Sequence, residues 1–229
     1  MPHPSEIDFD WPIALFPLPD CVLLPGATIP LHIFEPRYRA MIKDSLDTRG
    51  LIAMTLFEGD FWQADYHRKP PVRPHVCVGS IVEHIRQDDG RYALLLHGMC
   101  RARIIDEKLH EPYRVAILKP TESQRPMEID LAMQRRQLEE LLGDSQLSEL
   151  AQVDMLSECF KKDVPTVTMV DMVAMNMCED LELRYAMLAC ADVMERFDCV
   201  DKLLKQTQRT LQMAAQYRAG EDPDGISLN

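Results

Sequence analysis

Between Ile13 and about Lys119 the apolar residues come in short runs broken by Pro and Gly, the rhythm of strands rather than helices. Residues 13 to 16 predict a first strand, and Leu24-Pro25-Gly26-Ala27 predicts a tight turn, with Pro presetting φ and Gly tolerating a positive one. In Thr28 to Phe34, Ile29, Leu31 and Ile33 alternate with Pro30, His32 and Phe34, so one face is core. Pro30 lacks a backbone donor, which places this strand at an edge or a bulge. Glu35-Pro36 then opens a helix whose apolar stripe is Tyr38, Met41, Ile42 and Leu46. Residues 51 to 57 and 76 to 87 read as further strands, separated by a polar, Pro-containing stretch from Glu58 to Pro74. Asp88-Asp89-Gly90-Arg91 signals a hairpin, and strands follow at Tyr92 to Ile104 and, beyond Glu111-Pro112, at Tyr113 to Lys119.

Past the connector 121 to 126 the spacing becomes helical. Residues 127 to 142 predict one helix ending at Gly143, and 146 to 161 predict another. Thr168 with Asp171 resembles a capping box opening a helix over 169 to 177. Asp192 with Glu195 resembles a second, opening the longest helix, on which Val193, Phe197, Val200, Leu204, Thr207, Leu211 and Ala214 keep a period near 3.6. The expected class is α+β, divided into an extension (1–12), a β-rich lobe (13–125), an α-helical lobe (126–218) and a disordered tail (219–229).

Charge narrows the function classes. The chain of 229 residues carries 25 Lys and Arg against 37 Asp and Glu, a net charge of −12, so general attraction to nucleic acid or an anionic membrane works against its own field. Residues 1 to 125 hold 15 basic and 17 acidic residues (−2), and the remainder 10 and 20 (−10), so the acidity belongs to the helical part, as a solvated face. Seven cysteines at 21, 77, 100, 159, 178, 190 and 199 have no regular spacing and read as reduced thiols. With no leader pattern and no apolar run near the roughly 18 residues of a membrane span, a cytoplasmic protein is expected.

One run of residues is more specific than any of these patterns. Leu15-Phe16-Pro17-Leu18, Leu24-Pro25-Gly26 and Pro30 to Tyr38 (PLHIFEPRY) together resemble the signature of the Lon-protease N-terminal (LON substrate-binding) domain. Val78-Gly79-Ser80-Ile81, Asp89-Gly90-Arg91-Tyr92 and Leu94 to Gly98 extend the resemblance over most of residues 13 to 210. It implies a twisted, PUA-like β pseudo-barrel with one short packed helix, followed by a C-terminal helical bundle with a long final helix. It also implies a role in engaging protein substrates. No Gly is followed by Lys, so there is no Walker A phosphate cradle, and none of the eight serines has a recognisable nucleophile context. The form expected is therefore a stand-alone, noncatalytic one without ATPase and peptidase domains.

Candidate chemistry is sparse. His75 with Cys77, and His97 with Cys100, are the nearest approaches to metal-ligand spacing, and Cys100 beside His97 is the best thiol candidate; a buried, inert cysteine is the ordinary reading of both pairs. No metal or cofactor is expected. Glu35 and Arg39, four apart, can pair on the helix surface, and in the family the corresponding entrance helps engage peptide. The resemblance and the neighbouring loop give Glu35, Arg37, Tyr38, Arg39, Phe61 and Trp62 as candidate peptide-binding residues. The methionines at 169, 172, 175 and 177 suit either core filling or an adaptable binding surface. The expected partners are unfolded or partly folded polypeptide segments and an ATP-dependent protease, with adaptor work in proteolysis or protein quality control as the role. The alternatives are a PUA-like nucleic-acid or nucleotide binder using Arg101, Arg103 and Arg114, and a hydrolase.

Overall fold

The computed structural model describes residues 7–59, 61–64, 66, 69–121, 126–161 and 164–220, with the side chains of Phe61 and residues 218–220 left aside. It divides into two compact units: residues 1–125 with 178–193, and residues 126–177 with 194–229.

The first unit is built on β1 (Ile13–Leu18), β2 (Thr28–Ile33), α1 (Pro36–Leu46), β3 (Leu51–Leu56), β4 (His75–Arg86), β5 (Tyr92–Lys108) and β6 (Arg114–Pro120). The sheet order is β2-β5-β4-β3-β1-β6, and a further β5–β6 pairing closes five strands into a barrel. Only β1 and β3 run parallel; the other pairs are antiparallel. Closure depends on the 17-residue β5, whose first half pairs with β2 (Tyr92 to His97) and whose second half pairs with β6 (Ala102 to Lys108). Register shifts at Val78/Gly79, Ile81/Glu83 and Ile104/Asp106 supply the bends that a small barrel needs. Alternate residues fill its interior, among them Leu15, Ala53, Val76, Val78, Ala102 and Ala116. Ile7 joins this core and Phe9 packs against it, so part of the expected extension belongs to the barrel.

The sequence turns fall where expected. Gly26 has φ 83° in the Leu24–Ala27 turn, and Gly90 has φ 81° in the β4–β5 hairpin. The first turn is docked onto β5, because Gly26 N–H donates to Gly98 O and Gly98 N–H donates to Ala27 O, both at 2.8 Å. Alternation from the Ala27/Gly98 pair turns the backbone groups of Thr28, Pro30 and His32 to the free edge of β2, where a missing donor costs no ladder bond. The edge position expected from Pro30 is therefore observed. α1 lies on β1 and β3 through buried Tyr38, Met41, Ile42 and Ser45, while Leu46 is only half-buried.

A helix that the apolar pattern did not reveal, α5 (Leu181–Ala189), also belongs to this unit. Asp180 caps it, accepting from Glu182 N and Leu183 N at 2.8 and 3.0 Å. It docks beside β4, where Arg73 makes a bidentate pair with Glu182 at 2.7 and 2.5 Å and lies 4.7 Å from the Tyr185 ring. Tyr185 OH accepts the His75 backbone N–H at 3.1 Å. The segment 178–193 is thus part of the first unit rather than of one contiguous lobe over 126–218.

In the second unit the expected helix over 127–142 is a 3₁₀ turn (Glu128–Leu131) leading into α2 (Ala132–Leu142), and the one over 146–161 is a 3₁₀ turn (Leu147–Glu149) followed by α3 (Ala151–Phe160). Gly143 has φ −80°, so α2 ends without a left-handed residue. The helix expected over 169–177 begins earlier, as α4 (Thr166–Met177), and Thr168 does not cap it. A distant carboxylate takes that part: Glu128 accepts from Thr166 N at 3.0 Å and from Thr166 Oγ at 2.6 Å. Asp171, the other half of the expected box, is buried and pairs with buried Arg196 at 3.1 Å on the longest helix, α6 (Val193–Gly220). Along α6 Val193, Phe197, Val200 and Leu204 are buried, Thr207 and Leu211 are half-buried, and Ala214 is exposed. Met169 is fully buried in α4, with Met172, Met175 and Met177 half-buried, which is core filling more than open surface. No helix among the described residues is long and apolar enough to cross a membrane. The expected tail beyond 220 lies outside the described residues.

Candidate polypeptide-binding groove

β2 and α1 meet at Ile33-Phe34-Glu35-Pro36, and this corner forms one side of an open groove of about 770 Å³. Phe16, Leu18 and Pro19 from β1 and its end form the floor, His32, Ile33, Phe34, Glu35 and Tyr38 one wall, and Trp62, Gln63 and Tyr66 the other. Each side chain has a local cause. Phe34 follows the last residue of β2 and is 61% exposed; Tyr38, the third residue of α1, is buried and meets Phe16 edge-on at 4.8 Å. The second wall is held by aromatic packing: Trp62, on a 3₁₀ turn (Phe61–Gln63), stacks on Phe57 at 4.9 Å and 6°, and Tyr66 meets Phe57 and Trp62 at 6.0 and 5.7 Å.

Polar contacts join the two walls. Tyr66 OH donates to Glu35 Oε1, and Arg37 Nε donates to Glu35 Oε2 at 3.1 Å while its Nη1 donates to Tyr66 O at 3.2 Å. The guanidinium carbon lies 4.6 Å from the Tyr38 ring centre and 4.4 Å from that of Tyr66. Burial raises the Tyr38 and Tyr66 pKa values above the usual phenol value, for Tyr66 with help from the bond to Glu35, so both hydroxyls stay protonated near neutrality. Such a lining can bury apolar and aromatic side chains.

Residues 12–206 match the family model described as the ATP-dependent protease La (LON) substrate-binding domain. The chain belongs to this family. It is 22% identical over 222 residues to a Lon protease 2 of Myxococcus xanthus, a match covering 92% of this chain and 25% of that protein, so it spans about a quarter of the length of this curated relative. In fold it is similar to the N-terminal domain of a Mycobacterium avium complex Lon protease (TM-score 0.64, 16% identity, 85% of this chain and 98% of that one). It is also similar to a Lon N-terminal domain protein from Xanthomonas campestris (TM-score 0.56, 22% identity, 83% and 96%). The barrel followed by helices is thus the fold of LON N-terminal domains.

Within this LON domain the candidate residues are not all brought together. Glu35, Tyr38 and Trp62 line the groove, and Arg37 stands behind it, bridging the walls. Arg39 is elsewhere: its guanidinium covers Gly90 of the β4–β5 hairpin, where a Cβ would lie 2.0 Å from Nη2. The expected Glu35–Arg39 pair does not appear. Glu35 is the N-cap, with extended φ/ψ of −68° and 135°, so it is not stacked a helical turn below Arg39 and it pairs with Arg37 instead. The Phe61 side chain lies outside the described residues. The lining also contains Phe16, Phe34 and Tyr66, which sequence reasoning did not select. Phe34 carried a usable signal, as an aromatic on the solvent face of an alternating strand; Tyr66 carried none.

The other candidate constellations separate. Among the described residues no group of three or more His, Cys, Asp or Glu side chains could hold a metal. His97 Nδ1 lies 2.9 Å from Thr28 Oγ1, Cys77 and Cys100 are buried, and burial pulls the His75 and His97 pKa values below the usual histidine range. Burial pushes the half-exposed Cys21 thiol the opposite way, away from thiolate. The three arginines offered for nucleic acid do not share a surface: Arg101 is buried, Arg103 is exposed, and Arg114 is held by Glu107 at 2.9 and 2.5 Å.

Proposed function

We propose that this chain is a noncatalytic polypeptide-binding module that takes apolar side chains of unfolded or partly folded segments into the groove and works as an adaptor beside an ATP-dependent protease in the cytoplasm. The observation that carries this reading is the groove itself, about 770 Å³ walled by Phe16, Ile33, Phe34, Tyr38, Trp62 and Tyr66. Among the described lining residues the one carboxylate, Glu35, is committed to Arg37 and Tyr66, which supports burial of carbon rather than bond-making as the groove's chemistry. Family membership supports the substrate-recognition part of the reading. One buried Leu or Phe contributes roughly 1.5–3 kcal/mol, so a single anchor binds weakly and affinity comes from several along one chain, which suits a module that accepts varied sequences.

The chain has two tryptophans, Trp11 and Trp62, so a Trp11→Phe protein reports on the groove through Trp62 emission. Peptides with Leu-Phe-Leu in Ser/Gly flanks are expected to change that emission saturably, and Ser/Gly peptides of equal length are not. Failure of a broad peptide library to bind would overturn the reading. The adaptor role predicts ATP-dependent co-purification of a protease with the intact protein, lost in a Phe34→Asp variant.

A further inference from the structure

Glu35 and Arg37 sit in the most recognisable stretch of the sequence, yet the structure gives neither the posture of a ligand-contacting charge. Arg37 directs Nε to Glu35 and Nη1 to the Tyr66 carbonyl, and its flat guanidinium lies between the Tyr38 and Tyr66 rings. Glu35 spends one oxygen on Arg37 and the other on the Tyr66 hydroxyl. The three residues form a closed circuit linking the N-terminus of α1 to a loop residue 29 to 31 positions further along the chain. We propose that Glu35, Arg37 and Tyr66 form a latch: Glu35 and Arg37 are positioning residues that hold the Trp62–Tyr66 wall at a fixed distance from the Phe34–Tyr38 wall, and thereby set which side chains the groove admits.

The geometry explains the residue types. A guanidinium can fill the slot between two rings while donating in two directions in its own plane, which an ammonium on a flexible stem cannot do. A phenol presents an aromatic face to the groove and a donor to the carboxylate behind it. Burial keeps that donor protonated as pH rises past neutrality. The wall also packs through apolar contacts, the Trp62–Phe57 stack and the Tyr66 edge contacts. Such contacts hold rings together without fixing their distance from α1. The latch supplies that distance.

The inference rests on the polypeptide-binding reading, and a single set of variants separates the two. In the Trp11→Phe background, Tyr66→Phe keeps the ring and removes the donor to Glu35, while Arg37→Lys keeps the charge and removes the fork. Both are expected to shift Trp62 emission to the red and raise its quenching by acrylamide with no ligand present. Both are also expected to weaken binding of a Ser/Gly-flanked Leu-Phe-Leu peptide roughly tenfold, the effect of one lost charge-assisted hydrogen bond. Because they break one circuit, the double variant should be little weaker than the worse single variant. Glu35→Gln, which keeps an acceptor oxygen, is the milder check should either variant fold poorly. A parental emission spectrum and parental affinity in Arg37→Lys would overturn the latch, as would additive losses in the double variant. If the parent does not bind the peptide, the polypeptide-binding reading falls, and the ligand-free emission still decides the latch.

Discussion

Gly98 offers a direct test of how the Leu24–Ala27 turn is held, and with it the placement of β2. A Cβ at position 98 would lie 2.4 Å from the Leu24 carbonyl oxygen and 3.1 Å from Cys77 Sγ. Ordinary contact begins at 3.4 Å, so the turn would have to retreat by about 1 Å, and the obstacle is backbone, which cannot rotate aside. The displacement breaks the two 2.8 Å bonds between the turn and Gly98, each contributing about 1 kcal/mol, and adds overpacking strain of about 1–3 kcal/mol. Gly98→Ala is therefore expected to cost about 3–5 kcal/mol and to lower the melting temperature of the first unit by roughly 10 °C. Gly79→Ala is the control, because the atoms nearest its Cβ belong to the Leu96 side chain, at 2.8–3.1 Å, and a side chain can yield; its cost should stay below about 2 kcal/mol. Two units need not melt together, so the readout is hydrogen exchange at the Gly26 and Gly98 amides alongside the melting curve. Parental protection at Gly26 and a melting temperature within about 2 °C of the parent would refute the reasoning.

Three further outcomes are expected. Phe34→Asp, at a position 61% exposed, should abolish peptide-induced change in Trp62 emission while leaving the melting temperature within about 2 °C of the parent, as measured by titration and by melting. Asp171→Ala takes the ion-pair partner from Arg196 at a site where both side chains are 1% exposed, and should cost about 3–5 kcal/mol in urea unfolding of the helical unit; an Asp171→Leu, Arg196→Met double variant should recover much of that loss. Tyr113, whose hydroxyl donates to Asp44 at 2.9 Å, has its pKa pushed up to about 12, first by burial and then by that bond. Because the folded value exceeds the unfolded one of about 10, its contribution is fully present below pH 10 and is lost as pH rises toward 12. Tyr113→Phe should flatten that part of the stability profile and remove one late phenol from an ultraviolet titration.

The parts of the fold legible in the sequence are those enforced by backbone chemistry. Pro25 and Gly26 demand a turn, Pro30 an edge, Pro36 a helix start and Gly90 a hairpin, because each admits few conformations. What remained hidden depends on partners far along the chain. The start of α4 at Thr166 is fixed by Glu128, a carboxylate from another helix, so the local Thr168–Asp171 pattern misled. Asp171 answers instead to Arg196. α5 is short and weakly amphipathic, and its only local sign is the Asp180 cap; its place is set by Arg73 and His75. The groove divides in the same way. Glu35 and Tyr38 were found because they sit in a recognisable run, whereas Tyr66 lies in a polar loop and becomes meaningful only once Glu35 and Arg37 are seen to hold it.

That division changes how the Phe34 to Arg39 stretch is understood. Read along the chain, its charges suggest a surface that greets a ligand. In space, Arg39 braces a hairpin, Arg37 lies against two rings, and Glu35 accepts from Arg37 and Tyr66. On the proposed polypeptide-binding reading, the ligand-facing chemistry falls to Phe34 and Trp62, one following an edge strand and one on a 3₁₀ turn. A charge-reversal scan of 35–39 should therefore change affinity in proportion to its effect on Trp62 emission in the ligand-free protein. Contact through the charges themselves predicts salt-sensitive affinity with parental emission. Substitution at Phe34 should change affinity with the ligand-free spectrum intact, so the two kinds of residue separate in a plot of one readout against the other.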